Sequence, residues 1–428
     1  MAIDLDGASC QFRQMRRFAS LLLLCGMFAG CATPSDVTEN TGFSGPAPVI
    51  LISIDGFRPD YLHHGDTPTL DSLAEAGVSS GMHPSFPSVT FPNHYTLVTG
   101  LRPDHHGIVS NTMLDPAIPA ERFSVSHNSN LDDPRWWDGA EPAWVTAETH
   151  GVHTASQFWP GSDVPIHGIR PTDWVHYDPH VTAEQETSHV LALFDRKPDQ
   201  RPALTTLYFS AVDHAGHEAG PDAALTHEAV REVDTAIGHL VAGLHARNVS
   251  ADILIVSDHG MARTSDQRIV MLHDLAPPAD MRIITSGAYA GIDAAPGRER
   301  SLGAALARPH QHVQCWPKDQ IPSHFAYGRN ARVPAFLCVA DVGWTLVSDH
   351  VPHNINGGSH GYDNNAADMT AVFIAQGPAF LSGHHLATFD NVDVYPLVMH
   401  LLGLMPLPSD GSILPFAPVL RGPYANLQ

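Results

Sequence analysis

Residues Val49-Ile50-Leu51-Ile52-Ser53-Ile54 form an apolar run, broken only by Ser53, that ends on Asp55-Gly56. A short run of this kind, bounded by a turn signal, reads as a strand buried on both faces of a largely parallel sheet. Three more runs have the same form. Leu204 to Val212, through Tyr208 and Phe209, leads into Asp213; Ile253-Leu254-Ile255-Val256-Ser257 leads into Asp258-His259-Gly260; Thr370 to Ala375 is the fourth. Between them lie helical patterns. Thr67-Pro68 opens a segment with Leu70, Leu73 and Ala74 at helical spacing, closed by Gly77, with Thr67 as the expected N-cap. Val230, Val233, Ile237, Leu240, Val241 and Leu244 make one stripe of a longer helix. Strands alternating with helices predict an α/β fold with a mixed, mostly parallel central sheet and helices on both faces. In such folds ligands bind beyond the carboxyl ends of the strands, and three aspartates stand at three of those ends.

The chain has 428 residues, enough for a large core. With 43% hydrophobic and 16% charged residues, neither disorder nor coiled coil describes it. Acids outnumber bases 45 to 23, a formal charge of -22, so a stable nucleic-acid complex through a broad basic surface is not expected. The 29 histidines exceed all lysines and arginines together, which directs attention to metal sites. Residues 1–31 read as a signal peptide, with Met15 an alternative start. A basic head at Arg16-Arg17 precedes an apolar run to Met27 and the exit Phe28-Ala29-Gly30-Cys31. The exit resembles a bacterial lipoprotein signal with Cys31 lipidated, although Phe28 departs from the aliphatic residue common there. Cleavage without a lipid is the alternative. The expected location is periplasmic, or tethered to a membrane from outside the cytoplasm. Residues 32–46 read as a linker and 47–428 as the catalytic domain. Residues 262–356, rich in Pro, His and Arg, form an expected insertion or cap; no further domain is expected. Cys315 and Cys338, the cysteines after Cys31, suggest one disulfide in an oxidising compartment.

Taken singly, the candidate ligands have ordinary readings. Asp55-Gly56 and Asp258-His259-Gly260 suit turns; Asp213 and His217, four apart, suit a solvated helix face; His360 lies in a Gly-rich loop. Together they supply three carboxylates and three imidazoles to one crevice. Without thiolates that set suits zinc, with manganese second, and two ions fit six ligands better than one. A two-metal site suits in-line phosphoryl displacement. Thr90, in Ser88-Val89-Thr90-Phe91-Pro92-Asn93-His94, offers a nucleophile at a helix start near Pro92, where an N-cap role is also open.

Five ordered motifs, Ile54-Asp55-Gly56-Phe57-Arg58, Thr90-Phe91-Pro92-Asn93-His94, Asp213-His214-Ala215-Gly216-His217, Ser257-Asp258-His259-Gly260-Met261 and His360-Gly361-Tyr362-Asp363, resemble those of nucleotide pyrophosphatase/phosphodiesterases in the alkaline phosphatase superfamily. The resemblance spans about residues 47 to 410. It implies an alkaline-phosphatase-like fold and one zinc ion on Asp55, Thr90, Asp258 and His259, with a second on Asp213, His217 and His360. It also implies Thr90 as a nucleophile passing through phospho-threonine, and Asn111 as the amide that binds a phosphoryl oxygen. Phe91 directly follows Thr90, so its ring is placed to stack on a base; the stretch Trp159-Pro160-Gly161-Ser162 with Arg170-Pro171 resembles a family stretch leading to a stacking tyrosine, which aligns with Tyr177. Trp174 competes with Tyr177, and wall or core is the alternative reading of both Phe91 and Tyr177. Two zinc ions carry four positive charges against three carboxylates, so an anionic small-molecule nucleotide or phosphodiester can approach despite the net charge. The expected activity is hydrolysis of nucleotide phosphodiesters and pyrophosphates to nucleoside monophosphates. A phosphomonoesterase, a phosphonate hydrolase or a phospholipid-headgroup phosphodiesterase on the same scaffold are alternatives, as is a lipoprotein that only sequesters zinc.

Overall fold

The computed structural model describes residues 46–118, 121–125, 130–348 and 355–427. The expected signal peptide, Cys31 and all but the last linker residue lie outside them. The first apolar run becomes strand β1 (Val49–Ile54), buried along its whole length. The other long strands of its sheet are β2 (Val78–His83), β3 (Thr154–Gln157), β4 (Leu204–Phe209), β5 (Asp252–Val256) and β6 (Ala371–Gln376). They lie in the order β2-β6-β5-β1-β4-β3, with short strands at both edges. Strand β1 sits at the centre, parallel to β4 and β5, with Ile54 opposite Phe209 and Ser53 opposite Val256.

Period-two alternation divides these strands between two cores. Ile50, Ile52, Ile54, Ile253, Ile255, Val372 and Ile374 face the helices α1 (Pro68–Ala76) and α4 (Ala224–Ala246) through Leu70, Leu73, Val230, Val233, Ile237 and Leu240. Val49, Leu51, Leu254, Val256 and Phe373 face α2 (Thr90–Thr99) and α5 (Val394–Leu401) through Leu97, Val98, Leu397 and Val398. The helix α3 (Ala211–Ala219) follows β4 after one residue. The expected α/β architecture with helices on both faces is therefore what the chain forms.

Several local readings change. Strand β6 is antiparallel to both β5 and β2, because the chain leaves β5 into residues 262–356 and returns to the sheet without a helical crossover to its opposite end. The second run stops being a strand at Phe209, so Asp213 lies in the first turn of α3. Thr67 makes no side-chain cap; Asp234 of α4 instead accepts from Thr69 N and Leu70 N at 3.1 and 2.8 Å. Helix α2 starts at Thr90, with Val89 as its N-cap. Pro92 falls inside the first turn, where its missing N–H costs nothing.

Residues 262–356 carry their own four-stranded antiparallel sheet, Met281–Thr285, Tyr289–Ala294, Phe336–Ala340 and Val313–Pro317 in spatial order. Cys315 and Cys338 are cross-strand partners there, joined by a disulfide. The two ends of the region meet where Ala262–Arg263 pairs with Gly358–Ser359.

Leu254 is completely buried in the middle of the sheet. Leu254→Ala removes its contacts and leaves a cavity, with an expected loss of about 2–5 kcal/mol in unfolding free energy. Urea denaturation checks this; a loss below about 1 kcal/mol would show that the site collapses freely and is not the packed centre described here.

Candidate active site

Three strand ends and two loops converge on the same point. Asp55 follows β1 directly. Gly56 turns the chain away with φ +70°, and a Cβ there would meet Asp213 Cα at 3.0 Å. Glycine is thus required both for the left-handed backbone and for the close approach of α3. The Gly56 and Phe57 amides donate to Asp258 Oδ1 (3.2 Å) and Ser257 Oγ (3.0 Å), which ties the end of β1 to the end of β5. On α3, Asp213 and His217 are one turn apart on the same face. His360 follows the Gly358–Ser359 strand. The six side chains fall into two groups, Asp55, Asp258 and His259, and Asp213, His217 and His360, each with its ligand-type atoms within 4.8 Å of one another.

The chemistry of these atoms calls for a cation. His217 Nδ1 faces Gly358 O, His259 Nδ1 faces Gly260 O and His360 Nδ1 faces Ser88 O, all at 2.9 Å. A carbonyl only accepts, so each Nδ1 carries the proton and each Nε2 presents a lone pair inward. Those lone pairs crowd together. His217 Nε2 and His360 Nε2 are 3.0 Å apart, and His259 Nε2 lies 2.9 Å from Asp258 Oδ2 and 3.4 Å from Asp55 Oδ1. Asp55 Oδ1, Asp213 Oδ1 and Asp258 Oδ2 are buried without a hydrogen-bond partner. The other oxygens of two of them are satisfied, Asp55 Oδ2 by the Tyr208 hydroxyl at 2.6 Å and Asp258 Oδ1 by Gly56 N. Buried unpartnered carboxylate oxygens are costly. Here they point into the same space as the three bare imidazole nitrogens, which is the donor set of a divalent cation site.

Titration behaviour reflects the same crowding. Burial, then Asp258 and Asp213, pushes the Asp55 carboxyl well above the usual range. Burial, then His259 and His217, holds His360 well below the usual imidazole range. For His259 burial opposes charge, but Asp258 outweighs it and the net shift is upward.

Thr90 opens α2 with its hydroxyl 3.4 Å from His259 Nε2. The Phe91 amide donates to Asn111 Oδ1 at 2.9 Å, which fixes the Asn111 carboxamide and leaves its NH2 group for another acceptor. Thr90, Phe91, Asp55 and Asp213 line one open cleft together with Tyr177, Tyr208, Phe158 and Trp137. Tyr177 is 39% exposed, its hydroxyl 3.0 Å from Ser210 Oγ. Trp174 instead packs with Arg170 and His176. The structure thus brings together Asp55, Thr90, Phe91, Tyr177, Asp213, His217, Asp258, His259 and His360, with Asn111 at the edge of the group.

Three residues not singled out in the sequence join this site. Tyr208 holds Asp55. Phe158, in a left-handed conformation at φ +56°, packs at 5.0 Å from Tyr177 and 5.7 Å from Tyr208. His94 is fully buried: its Nδ1 faces Thr90 O at 2.9 Å, and its Nε2 accepts from Ser53 Oγ at 2.8 Å. Ser53 was the available signal, since a lone polar residue in a strand buried on both faces requires a partner.

Residues 49–363 match the family model described as type I phosphodiesterase / nucleotide pyrophosphatase. A pyrophosphatase/phosphodiesterase of Schizosaccharomyces pombe, itself uncharacterized, is 40% identical over 391 residues, 85% of this chain and 78% of that protein. Mouse ectonucleotide pyrophosphatase/phosphodiesterase family member 3 is 34% identical over 92% of this chain, which spans 46% of that longer protein. Among solved structures, murine family member 5, in an inactive threonine-to-alanine variant complexed with AMP, superposes with a TM-score of 0.84 at 33% identity, covering 88% of this chain and all of that one. The expected alkaline-phosphatase-like α/β fold is thus shared with a solved relative, and the chain belongs to the type I phosphodiesterase / nucleotide pyrophosphatase family of hydrolases.

Proposed function

We propose that this protein hydrolyses nucleotide phosphodiesters and pyrophosphates to nucleoside monophosphates, using two zinc ions and a covalent phospho-threonine. The observation that carries this reading is the position of Thr90, whose hydroxyl adjoins the cation site while its helix and its neighbour Phe91 line the aromatic cleft. Asp55, Asp258, His259 and Thr90 would hold one ion, and Asp213, His217 and His360 the other. When bound, such ions act as Lewis acids on phosphoryl oxygens and lower the pKa of a neighbouring hydroxyl. Thr90 Oγ attacks phosphorus and the bond to the leaving-group oxygen breaks. Water then attacks the same phosphorus, the bond to Thr90 Oγ breaks, and the nucleoside monophosphate departs. Asn111, held by the Phe91 amide, donates its NH2 group to a non-bridging oxygen. Phe91 and Tyr177 grip the base by stacking, which tolerates base identity. The AMP bound to murine family member 5 supports a nucleoside monophosphate as the retained half. An extracytoplasmic location is part of the same reading and is supported by the Cys315–Cys338 disulfide.

The test compares the nitrophenyl ester of a nucleoside monophosphate with nitrophenyl phosphate, with zinc and with chelator. A strong zinc-dependent preference for the nucleotide diester is expected; preference for the monoester overturns the diesterase reading. Thr90→Ala is expected to cost about 10³-fold or more in kcat while metal content stays near that of the parent, since a nucleophile's loss removes the chemical step. A variant that still turns over at the parent rate would sink Thr90 as nucleophile. Phe91→Ala and Tyr177→Ala should each lower kcat/KM for the nucleotide ester roughly 5- to 150-fold, the equivalent of about 1–3 kcal/mol of stacking. Methyl nitrophenyl phosphate, which has no base, should be hardly affected; equal losses on both esters would show that the rings only shape the wall.

A further inference from the structure

Residues 289–332, within the region that carries the four-stranded sheet, take hold of the segment Asp104–Asp115 at successive points along its length. The amides of Gly328, Arg329 and Asn330 donate to the Asp104 carboxylate at 3.0, 2.7 and 3.2 Å. Arg332 donates to Gly107 O at 2.8 Å and to Asp115 Oδ2 at 2.6 Å, and is itself mostly buried. The Tyr327 hydroxyl donates to Val109 O at 2.9 Å. The Tyr289 hydroxyl shares a 2.6 Å hydrogen bond with Ser110 Oγ, which also accepts from Thr112 N at 3.2 Å. These bonds bracket Asn111 on both sides. The Tyr289 ring further lies against Gly361, the residue after His360; a Cβ there, at φ +104°, would meet the ring at 3.2 Å. Both Tyr289 and Tyr327 are buried. Two buried tyrosines, a mostly buried arginine and three main-chain amides hold this one segment. They converge on the segment that carries Asn111, whose side chain accepts from the amide of Phe91, the residue after Thr90.

We infer that the insertion acts as a clamp on the Asn111 segment, with Tyr289 a positioning residue that acts on phosphoryl transfer through Asn111. This rests on the role proposed above for Asn111 as a donor to a phosphoryl oxygen. The Phe91 amide fixes the Asn111 carbonyl end, and the clamp fixes the backbone that carries it. A donor displaced by about an ångström loses much of its effect on a transition state. The disulfide staples the strands Val313–Pro317 and Phe336–Ala340, and Val339 of the latter pairs with Tyr289. The clamp is therefore braced by the covalent link.

The experiment is a double-mutant cycle on the zinc-loaded full-length enzyme, with Tyr289→Phe, Asn111→Ala and the pair, using the nucleotide nitrophenyl ester. Asn111→Ala is expected to lower kcat about 100-fold, as for loss of one preorganised donor, and Tyr289→Phe about 10-fold with KM little changed. The double variant should then match Asn111→Ala within about 2-fold, because residues acting through one group are not additive. Ser110→Ala should fall into the same cycle as Tyr289→Phe. Melting temperature and bound metal, measured on every variant, separate this from general loosening. A double variant whose loss is the product of the two single losses overturns the clamp while leaving Asn111 in the reaction, as does Tyr289→Phe at the parent kcat. An Asn111→Ala enzyme at full rate overturns the role of Asn111, and the clamp with it.

Discussion

Buried negative charge gathered at one point with no lysine or arginine among it is the constraint around which this molecule is organised. Asp55 and Asp258 bring carboxylate oxygens within 4.8 Å of each other, fully buried, at the end of a sheet with no lysine or arginine in the group. At an effective dielectric of about 20, like charges at that distance repel by roughly 3 kcal/mol. That is a sizeable fraction of the ~5–15 kcal/mol that holds a folded domain together. The imidazoles already give one proton each to the carbonyls of Gly260, Ser88 and Gly358, so without a cation the crowding is met only by holding further protons, as the upward shifts of Asp55 and His259 show. Everything else about the site follows from making this arrangement rigid. Central strands buried on both faces fix the bases of Asp55 and Asp258, Gly56 admits α3 to contact distance, and Tyr208 and His94 hold the groups from behind.

Metal site and aromatic cleft are one structure, not two neighbours. The Tyr208 hydroxyl binds Asp55 while its ring packs with Phe158 and Tyr177. Phe91 packs against Phe123 and Trp137 on the other wall, and its amide fixes Asn111. Under the proposed function, the wall that receives the base and the groups that surround the reacting phosphorus are parts of the same packing unit.

Much of this was legible in the chain because burial on both faces leaves a simple mark. The runs at 49–54 and 253–257 read directly as strands and place Asp55 and Asp258 at their ends. Asp213 was less legible: hydrophobic residues continue from β4 through Ala211 and Val212 into α3, and periodicity over so few residues does not separate a strand's last turn from a helix's first. The direction of β6 was not legible, since an apolar run carries no polarity and the path through residues 262–356 decides it. Phe158 could not be foreseen, as its left-handed backbone is imposed by tertiary contacts and not by its own preference. The clamp on Asn111 joins residues more than 170 positions apart, and neither a local pattern nor composition carries such a pairing.

The central claim is that the convergence of three carboxylates and three imidazoles is a two-ion site. Native mass spectrometry of the full-length protein, purified without chelator and exchanged into a zinc-containing volatile buffer, counts the ions directly. Two per chain are expected in the parent and one in Asp213→Asn, with the group around Asp258 still filled. A parent chain that retains no divalent ion, or only one that Asp213→Asn leaves in place, would contradict the account.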